Sequence, residues 1–226
     1  MDEKKLLDRY RGVRLADVSD ALDCLGLADR CLMSPRMRPL WEGIRFAGLA
    51  HTVKLLPSTR AVPAMSYEEY CRMLGEMTDG CYTFAGDVRA DEVIVVDAEG
   101  IAAGLFGSDI ALSTMQQGAV GMVIDGACRD SREIKMERAP VFATVRTCAH
   151  VIGRLRRGAE NVPVCCAGVT VSPGDIVMAD DDGVLVVPRG VTEQAVRIAE
   201  SILRTDKESR GRKYEALGLP PDDSVD

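Results

Sequence analysis

The chain has 226 residues, 46% hydrophobic but only 4% aromatic, so it can bury one sizeable core built from Val, Ile, Leu, Ala and Met. A formal net charge of −7 argues against a nucleic-acid surface, which needs a basic footprint, while leaving room for a local arginine to bind a small anion. Eight cysteines without a CxxC pair, a charged MDEKKLLDRY start and no apolar run near the ~20 residues of a membrane span point to reduced thiols, a cytoplasmic location and no membrane partner.

The spacing of Val18, Ala21, Leu22 and Leu25 predicts a first helix over 18–25, capped by Asp17 and stopped at Gly26. Its polar residues Ser19, Asp20 and Asp23 then face solvent or a subunit boundary. Residues 30–43, with Pro35, Pro39 and Gly43, read as irregular, and Phe46–Leu56 as a strand pair or one bent strand. Ser66 and Glu69 form an S-x-x-E capping box for a second helix, with Tyr67, Cys71, Leu74 and Met77 as its apolar face. Gly80–Gly86 reads as a loop. Val93–Val96, an unbroken apolar run between Asp91 and Asp97, fits a strand buried on both faces.

Gly100, Gly104 and Gly107 form a loop leading into a helix over Asp109–Gln117, with Ser108 as N-cap and Gly118 just past its end. Strand Ala119–Ile124 follows at once and ends in Asp125-Gly126. This strand–loop–helix–strand order predicts an α/β fold with parallel strands. The loops at 100–108 and 125–130 both follow strand ends, where such sheets gather ligands. Beyond them come an amphipathic stretch at 131–137 and strands at Val141–Ala143, Val162–Val171 and Ile176–Ala179. A tight turn at Asp180–Gly183, a strand at Val184–Val187 and a helix over Thr192–Leu203 complete the pattern. The charged tail from Lys207 is expected to be mobile or to pack between subunits. Nothing divides the chain, which reads as one domain with its core at about 14–205.

Three groups can carry chemistry. Asp130 can anchor Mg²⁺ or Mn²⁺ through oxygen, and Arg129 beside it can grip a carboxylate; a salt-bridged surface turn would use the same two residues. The helix start near Gly107 offers unpaired amides to an anion, though an ordinary capped helix has the same pattern. The acidic triplet Asp180–Asp182 lacks the D-x-D-x-D-G calcium pattern and suits a hairpin turn. His51 and His150 have no partner in a catalytic pattern and read as packing residues.

Taken together, VSDALDCLG (18–26), GLFGSDIALSTMQQGAVGMVIDGACRD (104–130) and NVPVCCAGVTVSPGDIVMADDDGVLVVP (161–188) resemble a known family. It is that of the class II pyruvate aldolases related to 4-hydroxy-4-methyl-2-oxoglutarate aldolase, whose superfamily also holds the regulator of ribonuclease activity A. The likeness runs from about residue 14 to residue 200. It implies a compact α/β/β/α sandwich with a central mixed sheet, assembled as a homotrimer or hexamer with the active site between subunits. It further implies that Asp130 ligates the divalent metal and that Arg129 contacts the carboxylate or enolate oxygen of a 2-oxo acid. The substrate carboxylate would rest on the amides of Asp109 and Ile110, beside Gly107 and Ser108, with Asp125 acting as an acidic neighbour of the metal's waters. The implied reaction is cleavage of a 4-hydroxy-2-oxo acid to pyruvate and a carbonyl product, with oxaloacetate decarboxylation as a side activity. A metal-linked water is the expected base.

Two departures stand out. Gly107-Ser108 replaces the G-E that many of these aldolases carry, and the segment between Pro57 and Asp87 is long. The alternative is a non-catalytic regulator that binds an RNA-processing enzyme or another protein; in that branch the aspartate after the arginine is typically lost. A methyltransferase finds no support, because 104–107 makes no GxGxxG fingerprint.

Overall fold

The structure, a computed structural model, describes residues 2–225. In chain order its helices are α1 (Glu3–Arg11), α2 (Leu15–Cys24), α3 (Ala28–Cys31), α4 (Tyr67–Met77), α5 (Ser108–Gln117), α6 (Ser131–Met136) and α7 (Thr192–Leu217). Its strands are β1 (Arg38–Pro39), β2 (Phe46–Pro57), β3 (Glu92–Asp97), β4 (Gly104–Phe106), β5 (Gly121–Cys128), β6 (Val141–Arg146), β7 (Leu155–Glu160), β8 (Val164–Cys166), β9 (Val169–Val171), β10 (Ile176–Asp180) and β11 (Gly183–Val187). Short 3₁₀ turns occupy Thr83–Gly86 and Arg189–Val191. Among the described residues no helix is long and apolar enough to cross a membrane.

One mixed sheet runs β1-β6-β5-β3-β2-β10-β11. β2, β3, β5 and β6 pair in parallel, while β10 and β11 add an antiparallel hairpin on the other side of β2. β7 pairs antiparallel with the second half of β2, and β4 lies parallel to the end of β5.

Alternation along the strands sorts the core into layers. In β3, Val93 and Val95 join one cluster and Ile94 and Val96 another. In β10 and β11, Val177, Ala179, Val184 and Val186 share the cluster of Val93 and Val95, so the two parts of the sheet face each other across it. Ile176, Met178, Leu185 and Val187 point the other way, onto α1, α2 and α7. Ile94, Val96, Met122 and Ile124 pack outward against Ala111 of α5 and Ile134 of α6. Successive side chains leaving opposite faces therefore build a helix–sheet–sheet–helix stack, the α/β/β/α sandwich expected. Phe46 and Phe142 meet edge to face at 5.7 Å in the middle layer.

Several boundaries differ from the sequence reading. α1 was not expected: its charged stretch buries only Leu7 and Tyr10, the latter donating to the Thr192 carbonyl at 2.7 Å. α2 begins three residues early, and Asp17 is not its cap but reaches back from inside the helix to the Arg14 amide at 2.9 Å. Phe46–Pro57 is one long strand. The S-x-x-E box forms as read, yet α4 stands off the body: Met77 alone is buried, Tyr67 is 77% exposed and Cys71 is exposed. Val162–Val171 is not one strand but the hairpin β8–β9, turned at Ala167 and Gly168 with φ of 48° and 89°. β7 was missed because its exposed Arg-Arg-Gly run shows no apolar alternation. α7 does not stop at Leu203 but continues to Leu217, so much of the tail expected to be mobile or to pack between subunits is helix.

Candidate functional site

The site is organised by one residue with an unusual backbone. Asp130 follows β5 with φ 54°, the left-handed conformation that aspartate tolerates better than most side chains. Although it precedes α6, its carboxylate does not cap that helix. It turns instead to α5, where Oδ2 accepts the Ser108 amide N–H at 3.2 Å. The Arg129 amide donates to the Phe106 carbonyl at 2.9 Å, tying this loop to β4, and Arg129 Nε lies 3.8 Å from Asp130 Oδ2.

Gly107 makes that approach possible. A Cβ there would stand 2.5 Å from Asp130 Oδ2 and 3.3 Å from Arg129 Nε, so any larger residue drives the carboxylate away. Gly107, not Ser108, is the N-cap of α5, and having no side chain it caps nothing. The amides of Asp109 and Ile110 in the first helical turn thus have no acceptor within the helix, next to the positive end of its dipole. Gly107, Ser108, Asp109, Ile110, Arg129 and Asp130 are brought together. The side chains of Arg129 and Asp130 keep 32% and 41% of their exposure, so the longer 57–87 segment does not seal the site. Within one chain it is an open face; a 740 Å³ groove on this chain is lined by other residues, among them Arg38, Trp41 and Arg146.

Asp125 is not brought to this group. Its Oδ2 accepts the Ala167 amide at 2.9 Å and its Oδ1 the Thr144 hydroxyl at 3.3 Å. Asp97, its neighbour on β3, accepts the Cys165 amide at 3.2 Å and Lys54 Nζ at 2.9 Å. Both carboxylates therefore fasten the β8–β9 hairpin over the sheet. The acidic triplet forms the β10–β11 turn, and Asp181 accepts the Gly43 amide at 2.8 Å.

Three residues escaped the sequence reading. The Ser108 hydroxyl donates to Glu137 Oε1 at 2.8 Å, and Glu137 Oε2 is buried with no partner among the described residues. His150, read as packing, lies beside the Arg129 loop: the Gly104 amide donates to the Ala149 carbonyl at 2.9 Å, and a Cβ on Gly104 would meet both that oxygen and Arg129 Cβ at 2.9 Å. Its Nδ1 accepts the Ile152 amide at 3.3 Å, which leaves Nε2 as the protonated nitrogen. Burial first, then Arg129 and Arg154, hold its pKa below the ordinary 6.5. Tyr82 stacks on it edge to face at 6.2 Å, and burial pushes the phenol up to about 12. Tyr82 lies in the 57–87 segment, whose length was the only sequence signal for it. His51 is buried, with Nδ1 3.0 Å from Glu92 Oε2.

Among the described residues no three His, Cys, Asp or Glu side chains converge as a metal cluster. The donor set at Asp130 is one open carboxylate beside polar backbone. That fits a hard cation keeping most of its waters, such as Mg²⁺ or Mn²⁺, and not a zinc site closed by protein ligands.

Comparison with known proteins identifies the family of the chain. The family described as RraA-like, Aldolase/RraA, matches residues 15–186. Protein DlpA of Legionella pneumophila is 29% identical over 88% of this chain, but the chain spans only 31% of that protein's length. A Halalkalibacterium halodurans protein named "Putative 4-hydroxy-4-methyl-2-oxoglutarate aldolase" is 31% identical over 93% of this chain and 89% of its own. Streptomyces coelicolor RraAS2, described as an unusual member of the RNase ES inhibitor RraA protein family, superposes with a TM-score of 0.76 at 27% identity, covering 91% of this chain and 96% of its own. The layered sheet, the Arg129-Asp130 loop and these matches lead to one assignment: the chain belongs to the RraA-like, Aldolase/RraA family.

Proposed function

We propose that this protein is a divalent-metal-dependent lyase that cleaves a 4-hydroxy-2-oxo acid to pyruvate and a carbonyl product. The observation that carries the reading is the Asp130 carboxylate held across the first turn of α5 with Arg129 alongside. Asp130, through the oxygen not given to Ser108, would hold Mg²⁺ or Mn²⁺. When bound, such a cation supplies Lewis-acid polarisation of the 2-oxo group. The amides of Asp109 and Ile110 receive the substrate carboxylate and fix its orientation. Arg129 sets a permanent positive charge where the enolate oxygen develops, which favours the transition state over the ground state. The same residues support oxaloacetate decarboxylation, since that reaction reaches the same pyruvate enolate. Tyr82 and His150, with Nε2–H as a neutral donor, border the space open to the rest of the substrate. A trimer or hexamer that completes the open face belongs to the same proposal, and light scattering tests it.

The experiment is pyruvate release from 4-hydroxy-4-methyl-2-oxoglutarate and from oxaloacetate, with Mg²⁺ or Mn²⁺ and then with EDTA. Turnover that EDTA abolishes and metal restores supports the lyase; no turnover with any metal contradicts it. A second reading, a regulator of an RNA-processing enzyme, is favoured by the likeness to RraAS2. It gains if the protein inhibits a ribonuclease with full strength after Asp130→Asn.

A further inference from the structure

We propose that Ser108 and Glu137 are the proton-accepting pair of the cleavage reaction, with the Ser108 hydroxyl taking the proton of the substrate's C4 hydroxyl as it passes its own to Glu137. This rests on the lyase reading above and puts a side-chain pair in place of the metal-linked water that the sequence resemblance implies as the base.

Ser108 is the hinge of the site. Its amide donates to Asp130 Oδ2 at 3.2 Å, and its hydroxyl donates to Glu137 Oε1 at 2.8 Å. A serine that has committed its one proton to a carboxylate presents only lone pairs to whatever approaches. It is thereby set to accept a proton rather than give one. Glu137 follows α6 directly, so the helix that Asp130 precedes carries the second carboxylate back to α5. Its other oxygen, Oε2, is buried without a hydrogen-bond partner among the described residues. That oxygen leaves a hydrogen-bonding place on Glu137 open, behind the one that Ser108 occupies. Position 108 has no carboxylate of its own, and Glu137 brings one to it from another helix.

The step balances as follows. The C4–O–H bond breaks and its proton goes to Ser108 Oγ, while the serine proton moves to Glu137 Oε1. The freed pair on oxygen forms the C4 carbonyl. The C3–C4 bond breaks, and its electron pair passes to C3 and into the 2-oxo group as the pyruvate enolate. Protonation of C3 and return of the proton from Glu137 to solvent restore the enzyme, with no net oxidation or reduction.

Oxaloacetate offers no hydroxyl proton at the bond that breaks, so its decarboxylation does not call on the pair. The test compares kcat and KM for 4-hydroxy-4-methyl-2-oxoglutarate cleavage and for oxaloacetate decarboxylation in the wild type, Glu137→Gln, Ser108→Ala and Ser108→Thr. The Mn²⁺ dissociation constant of each is measured by electron paramagnetic resonance. Glu137→Gln and Ser108→Ala are expected to lose about 10²- to 10⁴-fold in kcat for cleavage, the usual worth of a general base. The cleavage loss in each exceeds its decarboxylation loss by at least about tenfold, weaker Mn²⁺ binding does not account for it, and Ser108→Thr, which keeps the hydroxyl, retains more cleavage than Ser108→Ala. Equal losses in both reactions, weakened Mn²⁺ binding that accounts for the loss, or full cleavage in Glu137→Gln would overturn the proposal. A wild type inactive toward both substrates would instead overturn the lyase reading, and the pair's role with it.

Discussion

Asp130 and Ser108 are 22 positions apart in sequence, yet the carboxylate of one accepts the backbone amide of the other at 3.2 Å. This single hydrogen bond joins the end of β5 to the start of α5, and it sets the proposed metal ligand against the helix start proposed to receive the substrate carboxylate. It forms only because Gly107 leaves room for it. Gly107→Ala is therefore expected to fold, since φ at this position is −101°, while forcing the Asp130 carboxylate from its place. Mn²⁺ affinity should fall at least about tenfold, the effect of roughly 1.4 kcal/mol, with the far-ultraviolet spectrum unchanged. Unaltered Mn²⁺ binding would show that the carboxylate tolerates a different position.

Asp125 and Asp130 stand five positions apart and spend their carboxylates on different partners. With both oxygens of Asp125 engaged by Ala167 and Thr144, its loss should loosen the β8–β9 hairpin. Asp125→Ala is expected to cost about 1–3 kcal/mol in urea unfolding, as hydrogen bonds to charged groups do, and to leave Mn²⁺ affinity unchanged. The reverse outcome, normal stability with weakened metal binding, would return Asp125 to the site.

His150 gives the protein an acid-side sensitivity. Its pKa is depressed in the fold, by burial before the neighbouring arginines, from the 6.5 it regains on unfolding. Below that value the unfolded chain takes up a proton that the folded chain resists. Stability from this group is thus full above pH 6.5 and is lost as pH falls through the folded value. In metal-free protein, the drop in urea midpoint between about pH 7.5 and about pH 5.5 should be smaller in His150→Gln than in wild type. An equal drop would remove His150 as its source.

Thiol chemistry offers an independent check on the packing. Cys24, Cys71, Cys148 and Cys165 are exposed, whereas Cys31, Cys81, Cys128 and Cys166 are buried. Burial pushes Cys81 up to about 12 and Cys128 up to about 11, so neither is a thiolate at neutral pH. A chromogenic disulfide reagent should titrate no thiols beyond the exposed four in native protein, and the buried four only after unfolding. Rapid reaction of Cys128 would mean that the β5 end is open to solvent.

The fold was legible where a local pattern and its tertiary use coincide. Val93–Val96 and the Ser66–Glu69 box announce themselves because burial on both faces and end-capping leave direct marks in sequence. Gly107 through Ile110, Arg129 and Asp130 could be read as candidates because loops after parallel strands converge. What sequence could not convey was partnership at a distance. Nothing near Glu137 signals that it meets Ser108, and the charged surface of α1 and β7 hides which few positions are buried. Asp125 sits in the same motif as Asp130 but turns to the hairpin, and only the strand's alternation in three dimensions separates the two.

The most direct measurement is calorimetric titration of Mn²⁺ into the protein with and without oxalate, a stable mimic of the pyruvate enolate, for wild type, Asp130→Asn and Arg129→Ala. One bound Mn²⁺ per chain is expected in the wild type, tightened by oxalate. Asp130→Asn should lose the metal, and Arg129→Ala should keep the metal but lose the oxalate effect. Equal Mn²⁺ and oxalate binding in all three proteins would contradict a site built on these two side chains.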